Sequence, residues 1–331
     1  MNNFNPKTPN LLLMKKILLI AAVLLTQTVS AQDLKNGNIS NVTRITQDGV
    51  MYENPQWSPD GQKIAFTELG YNNLYVMNHN GSAKTQISAD LGVGYMYQWS
   101  ADSKEILVRD TRWIGTEGQL LRYHAAWAID MKGKKTRLSE DAEYMQPAAW
   151  RYDALGTKSI ASPDAKPIVL KQQLSTLPKA LAAKVTALPS SKVSFYCDSE
   201  NLYLVDINGN KKLINAGASF CPALSPDGKK VAFNQMDDVC VMNIDGTGKV
   251  VIGRGFNPCW ANNSQIVFER TTDDGHTYTS GELYLATIDG ASLKQITSSN
   301  LIEMQPQISP DGNKIVFTSF SDGQIYVADF N

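Results

Sequence analysis

Histidine and cysteine are the side chains that most often bind metals or act as nucleophiles, and this chain of 331 residues has few of them. Its three histidines are widely separated in the sequence: His79, His124 and His276. A metal-dependent enzyme needs several such side chains at one place. Asp60, Asp227 and Asp311 recur, but proline and glycine flank each of them, which is typical of a tight turn rather than a calcium loop. The sequence therefore predicts no catalytic residue, no metal and no cofactor.

The N-terminus has the features of a secretory signal peptide. Lys15 and Lys16 precede the apolar run 17–25, and a short polar stretch leads to small residues ending at Ala31. A helix of that length cannot span about 30 Å of hydrocarbon, so the pattern favours a cleaved signal over a membrane anchor. We expect cleavage after Ala31 (signal peptide 1–31), a short N-terminal segment at 32–41, and a mature protein in the periplasm or the medium that does not span the membrane.

Four cysteines follow in the second half of the chain: Cys197, Cys221, Cys240 and Cys259. Export to an oxidising compartment makes them candidates for disulfides, and free buried thiols are the alternative. Four cysteines allow three pairings, and the sequence does not choose among them. Their spacing lacks the short Cys-x-x-Cys pairs that metal sites use.

A repeated motif dominates the sequence. Strong copies of W/L/I-S-P-D-G-x-K-I/V-A/V-F occupy three segments: 57–66, 224–233 and 308–317. Weaker copies begin at three tryptophans: Trp99, Trp150 and Trp260. Proline, aspartate and glycine favour a tight turn, and β-branched and aromatic residues follow, so each copy predicts a β-hairpin. A third strand such as Leu74–Asn78 and a polar turn come next. Four antiparallel strands at a period of roughly 40 residues are typical of a β-propeller blade.

The W-S-P-D-G-x-K-I-A-F hairpin followed by L-Y-V-M-N resembles the WD40-like PD repeat (PD40 repeat) of TolB-like β-propellers, and the resemblance covers 42–331. It implies a single all-β domain, a role in the cell envelope, and peptidoglycan-associated lipoprotein as a partner. The sequence departs from the family in one respect. TolB-like proteins carry an α/β domain before the propeller, whereas only 32–41 separate the signal peptide from the first repeat.

Blade counting favours seven four-stranded blades, with six blades and an insertion as the alternative. One position of the inner strand recurs along the chain: Pro55, Tyr97, Pro147, Pro222, Pro258 and Pro306. The interval from Pro147 to Pro222 is close to two periods, so we expect 148–182 to form a degenerate blade, and the composition of 165–190 decides the count. Because 42–46 resembles a fourth strand and the chain stops after a third, we expect the N-terminal strand to complete the last blade and close the ring.

Candidate binding residues lie in the loops of one face, where the connections before the first strand and between the second and third strands emerge. Two of these connections are long and carry aromatic and basic residues: Arg112, Trp113, Arg122, Tyr123, His124, His276 and Tyr278. The segments that lead into the first strands place an aromatic residue or methionine near the central channel: Tyr52, Tyr95, Tyr144, Phe220, Phe256 and Met304. Such residues on a rigid scaffold indicate a binding site, and packing between blades is the structural alternative.

The net charge of -1 excludes the electrostatic pattern of a nucleic-acid-binding protein. We expect a monomeric, exported, non-enzymatic propeller that binds an envelope protein, a peptide or a carbohydrate polymer on its long-loop face. A polysaccharide-active enzyme is the alternative, since oligogalacturonate-lyase-like propellers have similar blades. That alternative predicts a metal held by clustered side chains.

Overall fold

The computed structural model describes residues 34–116, 119–153, 155–162, 179–181, 192–198 and 200–331. The regular secondary structure of the described chain is β-strand, apart from the helical residues 179–181 and short turns. Its strands form a six-bladed β-propeller, which confirms the predicted fold class. The predicted signal peptide and most of 165–190 lie outside the described residues.

The strands of the first half are, in chain order: β1 (Ile39–Arg44), β2 (Tyr52–Trp57), β3 (Lys63–Glu68), β4 (Asn72–Asn78), β5 (Thr85–Ser88), β6 (Gln98–Trp99), β7 (Glu105–Arg109), β8 (Arg112–Thr116), β9 (Gln119–Tyr123), β10 (Ala126–Asp130), β11 (Lys135–Arg137), β12 (Ala149–Tyr152) and β13 (Lys158–Ala161). Those of the second half are: β14 (Ser194–Cys197), β15 (Asn201–Val205), β16 (Lys211–Ala216), β17 (Ser219–Leu224), β18 (Lys230–Gln235), β19 (Asp238–Asn243), β20 (Val250–Arg254), β21 (Phe256–Asn262), β22 (Gln265–Asp273), β23 (Tyr278–Thr287), β24 (Leu293–Gln295), β25 (Glu303–Ile308), β26 (Lys314–Ser319) and β27 (Gln324–Phe330).

Antiparallel pairing of these strands defines the blades. Blade 1 is β2–β5, blade 2 is β6, β7, β10 and β11, blade 3 is β14–β16, blade 4 is β17–β20, blade 5 is β21–β24, and blade 6 is β25–β27 with β1. Blade 3 has three strands and the others have four. The strands β8 and β9 form a separate hairpin between the second and third strands of blade 2.

The Ser-Pro-Asp-Gly motif forms the turn between the first and second strands, as its residue types predict. In blade 1 the Ser58 hydroxyl donates to Asp60 Oδ1 at 2.6 Å, and the Lys63 N–H donates to Ser58 Oγ at 2.9 Å. The same two bonds recur in three other blades, around Ser100, Ser225 and Ser309. Gly61 adopts a φ of 70°, the left-handed region that glycine enters without a steric penalty.

Four of the six tryptophans link neighbouring sheets through one repeated hydrogen bond. Each indole Nε1 donates to a carbonyl in the first strand of the preceding sheet: Trp57 to Gln307 at 3.2 Å, Trp99 to Gln56 at 3.4 Å, Trp150 to Gln98 at 3.2 Å and Trp260 to Ala223 at 2.8 Å. Since the first of these bonds joins blade 1 to blade 6, the two ends of the chain meet in space.

The expected seventh blade is not supported. Among the described residues, 148–182 contributes the two-stranded sheet of β12 and β13 and the helical residues 179–181. Trp150 ties that sheet to blade 2, and the Arg151 guanidinium donates to Ser194 Oγ of blade 3 at 2.7 Å. These strands therefore lie between blades 2 and 3, and the described chain fits six blades with an insertion.

The N-terminal strand β1 is the outer strand of blade 6. It pairs antiparallel with β27, from Ile39 opposite Phe330 to Arg44 opposite Tyr326. The Asn38 and Asn331 backbones exchange hydrogen bonds at 3.0 and 3.1 Å. The outer edge of β27 is therefore paired along its length.

Hydrophobic cores lie between successive blades. The phenylalanine of the second strand is at most 1% exposed in four blades: Phe66, Phe233, Phe268 and Phe317. Alternate residues of one strand face opposite neighbours, so that Phe317 packs towards blade 5 while Val316 packs towards blade 1. Two-sided burial explains why these strands are continuous apolar runs rather than alternating ones.

Candidate binding face

The residue just before the recurring inner-strand position is left-handed in five blades. These residues, which we term the channel-mouth residues, have φ between 50° and 55°: Asn54, Met96, Cys221, Asn257 and Gln305. A left-handed backbone costs roughly 1–2 kcal/mol for a residue with a side chain, so the surroundings must hold it. Four of them lie in β-bulges of the first strand. Met96 instead precedes β6, the short first strand of blade 2.

Hydrogen bonds to the preceding blade account for this backbone in three of the five residues. The Asn257 N–H donates to Asn234 Oδ1 of blade 4 at 3.1 Å, and the Gln305 N–H donates to Glu269 Oε2 of blade 5. The Asn54 N–H donates to Gln305 Oε1 of blade 6 at 2.6 Å. The left-handed turn thus directs a backbone donor at the neighbouring blade, and these bonds form an inter-blade latch.

Glu269 is the most unusual charge at the channel mouth. It is 1% exposed, and its two carboxylate oxygens accept from the Asn257 amide at 2.9 Å and from the Gln305 N–H. Burial raises the pKa of Glu269 to about 7, and the hydrogen bonds from Gln305 and Asn257 oppose that shift. Sequence reasoning missed this residue, because a glutamate in a β-strand is usually solvated.

The predicted channel residues divide by register. Tyr95, Phe220, Phe256 and Met304 lie directly before the channel-mouth residues and are half-buried or exposed at the rim. Tyr95 packs edge-on against Tyr71 at 5.6 Å, and the Phe220 and Phe256 rings are 6.5 Å apart. Tyr71, which sequence reasoning missed, lies in a second-to-third-strand connection. These four predicted residues therefore share one rim position.

Tyr52 does not belong to this rim. It is 4% exposed, packs edge-on against Phe66 at 4.9 Å, and donates its hydroxyl to Asp48 at 2.8 Å. Tyr144 is 85% exposed and lies one residue further from the channel than the rim position. Both differ from Tyr95 by one residue in register, and a shift of one residue in a strand moves the side chain to the other face. Tyr52 therefore lies in the hydrophobic core between blades 6 and 1 rather than at the rim.

The four cysteines are free thiols in the structure, which is the alternative to disulfides that the sequence left open. Cys240 and Cys259 are buried in different inter-blade cores, which keeps them apart. Cys221 lies at the channel mouth, where its thiol donates to Asn257 Oδ1 at 3.2 Å. Burial raises the pKa of Cys221 to about 11 and that of Cys197 to about 12, so both are protonated and weakly nucleophilic at neutral pH.

The β8–β9 hairpin presents apolar side chains to solvent. Trp113 is 54% exposed and Leu120 is 64% exposed. Pairing of Trp113 with Arg122 and of Gly115 with Leu120 places the tryptophan and the leucine on one face of the hairpin. Trp113 is thus exposed rather than packed beneath its own loop.

Buried and charged groups fix the base of the β8–β9 hairpin. Arg112 forms ion pairs with Asp110 at 2.9 Å and with Asp141, so intramolecular carboxylates already neutralise its charge. His124 is 4% exposed, and its Nδ1 lies 2.9 Å from the Asp110 carbonyl. Burial lowers the pKa of His124. Tyr123 is half-buried, and its hydroxyl donates to Glu143 Oε1 at 3.4 Å.

The second long connection is the tip of the β22–β23 hairpin in blade 5. Asp274 accepts backbone N–H bonds from His276 and Thr277, both at 2.9 Å, which shapes the turn. His276 is exposed, and Tyr278 is 37% exposed with its ring edge-on to Phe320 at 5.1 Å. The structure thus places Trp113 and Tyr278 in equivalent connections of blades 2 and 5, on one face but on different blades.

A cavity of about 540 Å³ lies below the rim. First-strand residues of blades 1, 2 and 4, with residues of β12 and β14, line it, so it lies beside the inner strands of these sheets. Its walls include Trp57, Trp99, Trp150 and Phe195. Within the described residues, no group of three or more histidine, cysteine or acidic side chains is placed to hold a metal ion.

These features define a β-propeller with exposed aromatic residues on the long-loop face, and known proteins resemble this fold. No protein-family model matches the chain. A TolB homolog from Chlorobium luteolum is 25% identical over 194 residues, which is 50% of this chain and 43% of that protein. The Tol-Pal system protein TolB from Roseobacter denitrificans is 30% identical over 109 residues, 32% of this chain and 21% of that protein. The chain thus matches less than half the length of these relatives.

A solved structure described as TolB from Agrobacterium tumefaciens has a TM-score of 0.53 at 16% identity and covers 88% of this chain and 97% of that one. At that identity the structural likeness shows the fold alone. The chain is thus similar to TolB proteins over part of its length, and the solved structure shares its β-propeller fold. No described helix has the length and apolar character needed to cross a bilayer.

Proposed function

We propose that the mature chain is an exported, non-enzymatic propeller that binds an envelope protein or polymer on its long-loop face. The observation that carries this proposal is the exposure of Trp113 and Leu120 on a hairpin that projects from a rigid blade. Tyr278 and the rim aromatics extend the apolar surface on the same face. Exposed aromatic anchors on a fixed scaffold are typical of protein interfaces.

The relatives support a compartment and a first partner for this proposal. A relative named as a Tol-Pal system protein supports the cell envelope as the place of action and peptidoglycan-associated lipoprotein as the first partner to test. The signal-like N-terminus supports export to the periplasm or the medium. A monomeric propeller leaves the whole long-loop face open to such a partner.

The test is direct binding of the mature protein to the soluble domain of the organism's peptidoglycan-associated lipoprotein, followed by capture from an envelope extract. Trp113→Ala and Tyr278→Ala should each weaken binding about tenfold or more, because truncating an interface anchor costs about 2 kcal/mol. The matched control is Ile207→Ala, an apolar residue 48% exposed in a turn at the opposite end of blade 3.

The melting temperatures of all three variants should equal that of the unmodified protein. Binding that survives both aromatic substitutions would place the interface elsewhere. Cleavage of a uronate polymer by the unmodified protein, with a stoichiometric metal, would contradict the non-enzymatic assignment.

A further inference from the structure

A second cavity, of about 290 Å³, lies at the base of the β22–β23 hairpin. It is bounded by the end of β20 in blade 4 and by β22 and β23 of blade 5. Two arginines, Arg254 and Arg270, enter it together with the hydroxyl residues Thr272 and Ser280. No ion pair joins either guanidinium to a carboxylate of the described chain.

The Arg270 side chain is held in place by its surroundings. Its Nε donates to the Arg254 carbonyl at 2.8 Å, and its guanidinium lies over the Tyr284 ring at 4.6 Å from the centroid. Gly253 leaves the room that this requires, because a Cβ there would lie 3.2 Å from the Arg270 Nη2 atom. A guanidinium fixed through its Nε and its face still presents its Nη donors to a ligand.

The other polar groups of the cavity also suit an oxyanion. Thr272 Oγ1 and Ser280 Oγ are 2.8 Å apart, and hydroxyls donate readily to carboxylate or phosphate oxygens. Glu282 is the directly opposite cross-strand partner of Arg270 and lines the same cavity. The two arginines outnumber the one carboxylate, so the cavity carries a net positive charge. Glu282 competes with an added anion for the arginines.

We propose that this cavity binds an oxyanion, a carboxylate or phosphate group carried by the partner of the long-loop face. The assignment rests on the proposed function for the identity of that partner, since the cavity lies directly below the loop that bears His276 and Tyr278. Arg270 binds the two oxygens as a fork, and Arg254 adds charge from the rim.

The first experiment titrates the isotope-labelled mature protein with acetate and, separately, with inorganic phosphate, while chloride keeps the ionic strength constant. The NMR signals of the Thr272 and Ser280 backbone N–H groups, which line the cavity and are present in every variant, report binding and should shift saturably. Arg254→Ala and Arg270→Lys should each weaken binding about tenfold, as expected for loss of a charge-assisted hydrogen bond. Glu282→Gln should strengthen it. Lys104→Ala, which removes an exposed cation from the turn between β6 and β7 of blade 2, is the control and should change nothing.

Stronger binding of acetate points to an acidic peptide or uronate group, and stronger binding of phosphate points to a phosphorylated polymer. A linear shift that is the same in every variant overturns the proposal.

Because the probes are small anions, the titration does not depend on any partner. If anions bind saturably but partner capture is unchanged in Trp113→Ala, the cavity assignment stands and the proposed function is refuted. If Trp113→Ala weakens partner capture but no saturable anion binding is seen, only the cavity proposal is refuted.

Discussion

At the scale of single residues, Glu269 shows how burial changes the chemistry of an ordinary side chain. Its carboxylate is enclosed at the junction of blades 5 and 6 and accepts two hydrogen bonds. Desolvation nevertheless dominates and raises the pKa of Glu269 from 4.5 to about 7. The folded state therefore binds a proton more readily than the unfolded state does.

This residue makes stability depend on pH. Because the folded-state pKa is the higher one, the contribution of Glu269 to the free energy of unfolding is fully present below about pH 4.5 and falls as pH rises through about 7. Between about pH 5 and about pH 8 the unmodified protein should lose up to roughly 3 kcal/mol relative to Glu269→Gln. Urea unfolding across that range measures the difference. Exposed Glu200→Gln is the control, and parallel curves for Glu269→Gln and the unmodified protein would contradict the prediction.

At the scale of elements, the inter-blade latch is a repeated device. A polar side chain after the second-strand phenylalanine meets the channel-mouth residue of the next blade, as Asn234 meets Asn257 and Glu269 meets Gln305. Arg109 uses a related contact, donating to the Met145 carbonyl at 2.6 Å. The left-handed backbone of one blade and the buried polar residue of the preceding blade are thus the two partners of one inter-blade hydrogen bond.

Asn234→Ala tests the latch. Asn234 is 0% exposed, and besides accepting from Asn257 it donates to the Gly255 carbonyl at 2.7 Å. Alanine leaves a buried N–H and a buried carbonyl unpaired, so we expect a loss of about 2–4 kcal/mol in the free energy of unfolding. Chemical denaturation measures it. Asn208→Ala, in an exposed turn of blade 3, should change stability by less than about 0.5 kcal/mol. Equal effects in the two variants would show that the latch is not stabilising.

At the scale of the whole molecule, the N-terminal segment joins residues far apart in sequence. Lys35 and Gln265 exchange hydrogen bonds at 2.6 and 3.0 Å, and Asn41 donates to Asp329 at 2.7 Å. Gly37 has a φ of 67°, and a Cβ there would lie 2.6 Å from the Ile296 side chain. The segment is thus closely packed against blades 5 and 6.

Removing this segment should destabilise the propeller as a unit. A chain that begins at Ile45 lacks β1 and exposes the outer edge of β27, which is a template for aggregation. We expect its melting temperature to fall by about 5 °C or more relative to a chain that begins at Lys35, with increased light scattering on heating. Calorimetry and scattering measure both effects. Matching melting curves would show that β1 contributes little.

The sequence alone determined the hairpins, their turns and the tryptophan positions, because these depend on local residue types that repeat with the blade. It placed Trp113 and Tyr278 in long connections for the same reason. Only the tertiary structure decided the blade count, the burial of Tyr52 and Glu269, and the position of Arg270 over Tyr284. Those features depend on which strand faces which neighbour, and a shift of one residue along a strand reverses that orientation. Local composition does not encode such a shift, whereas packing between blades fixes it.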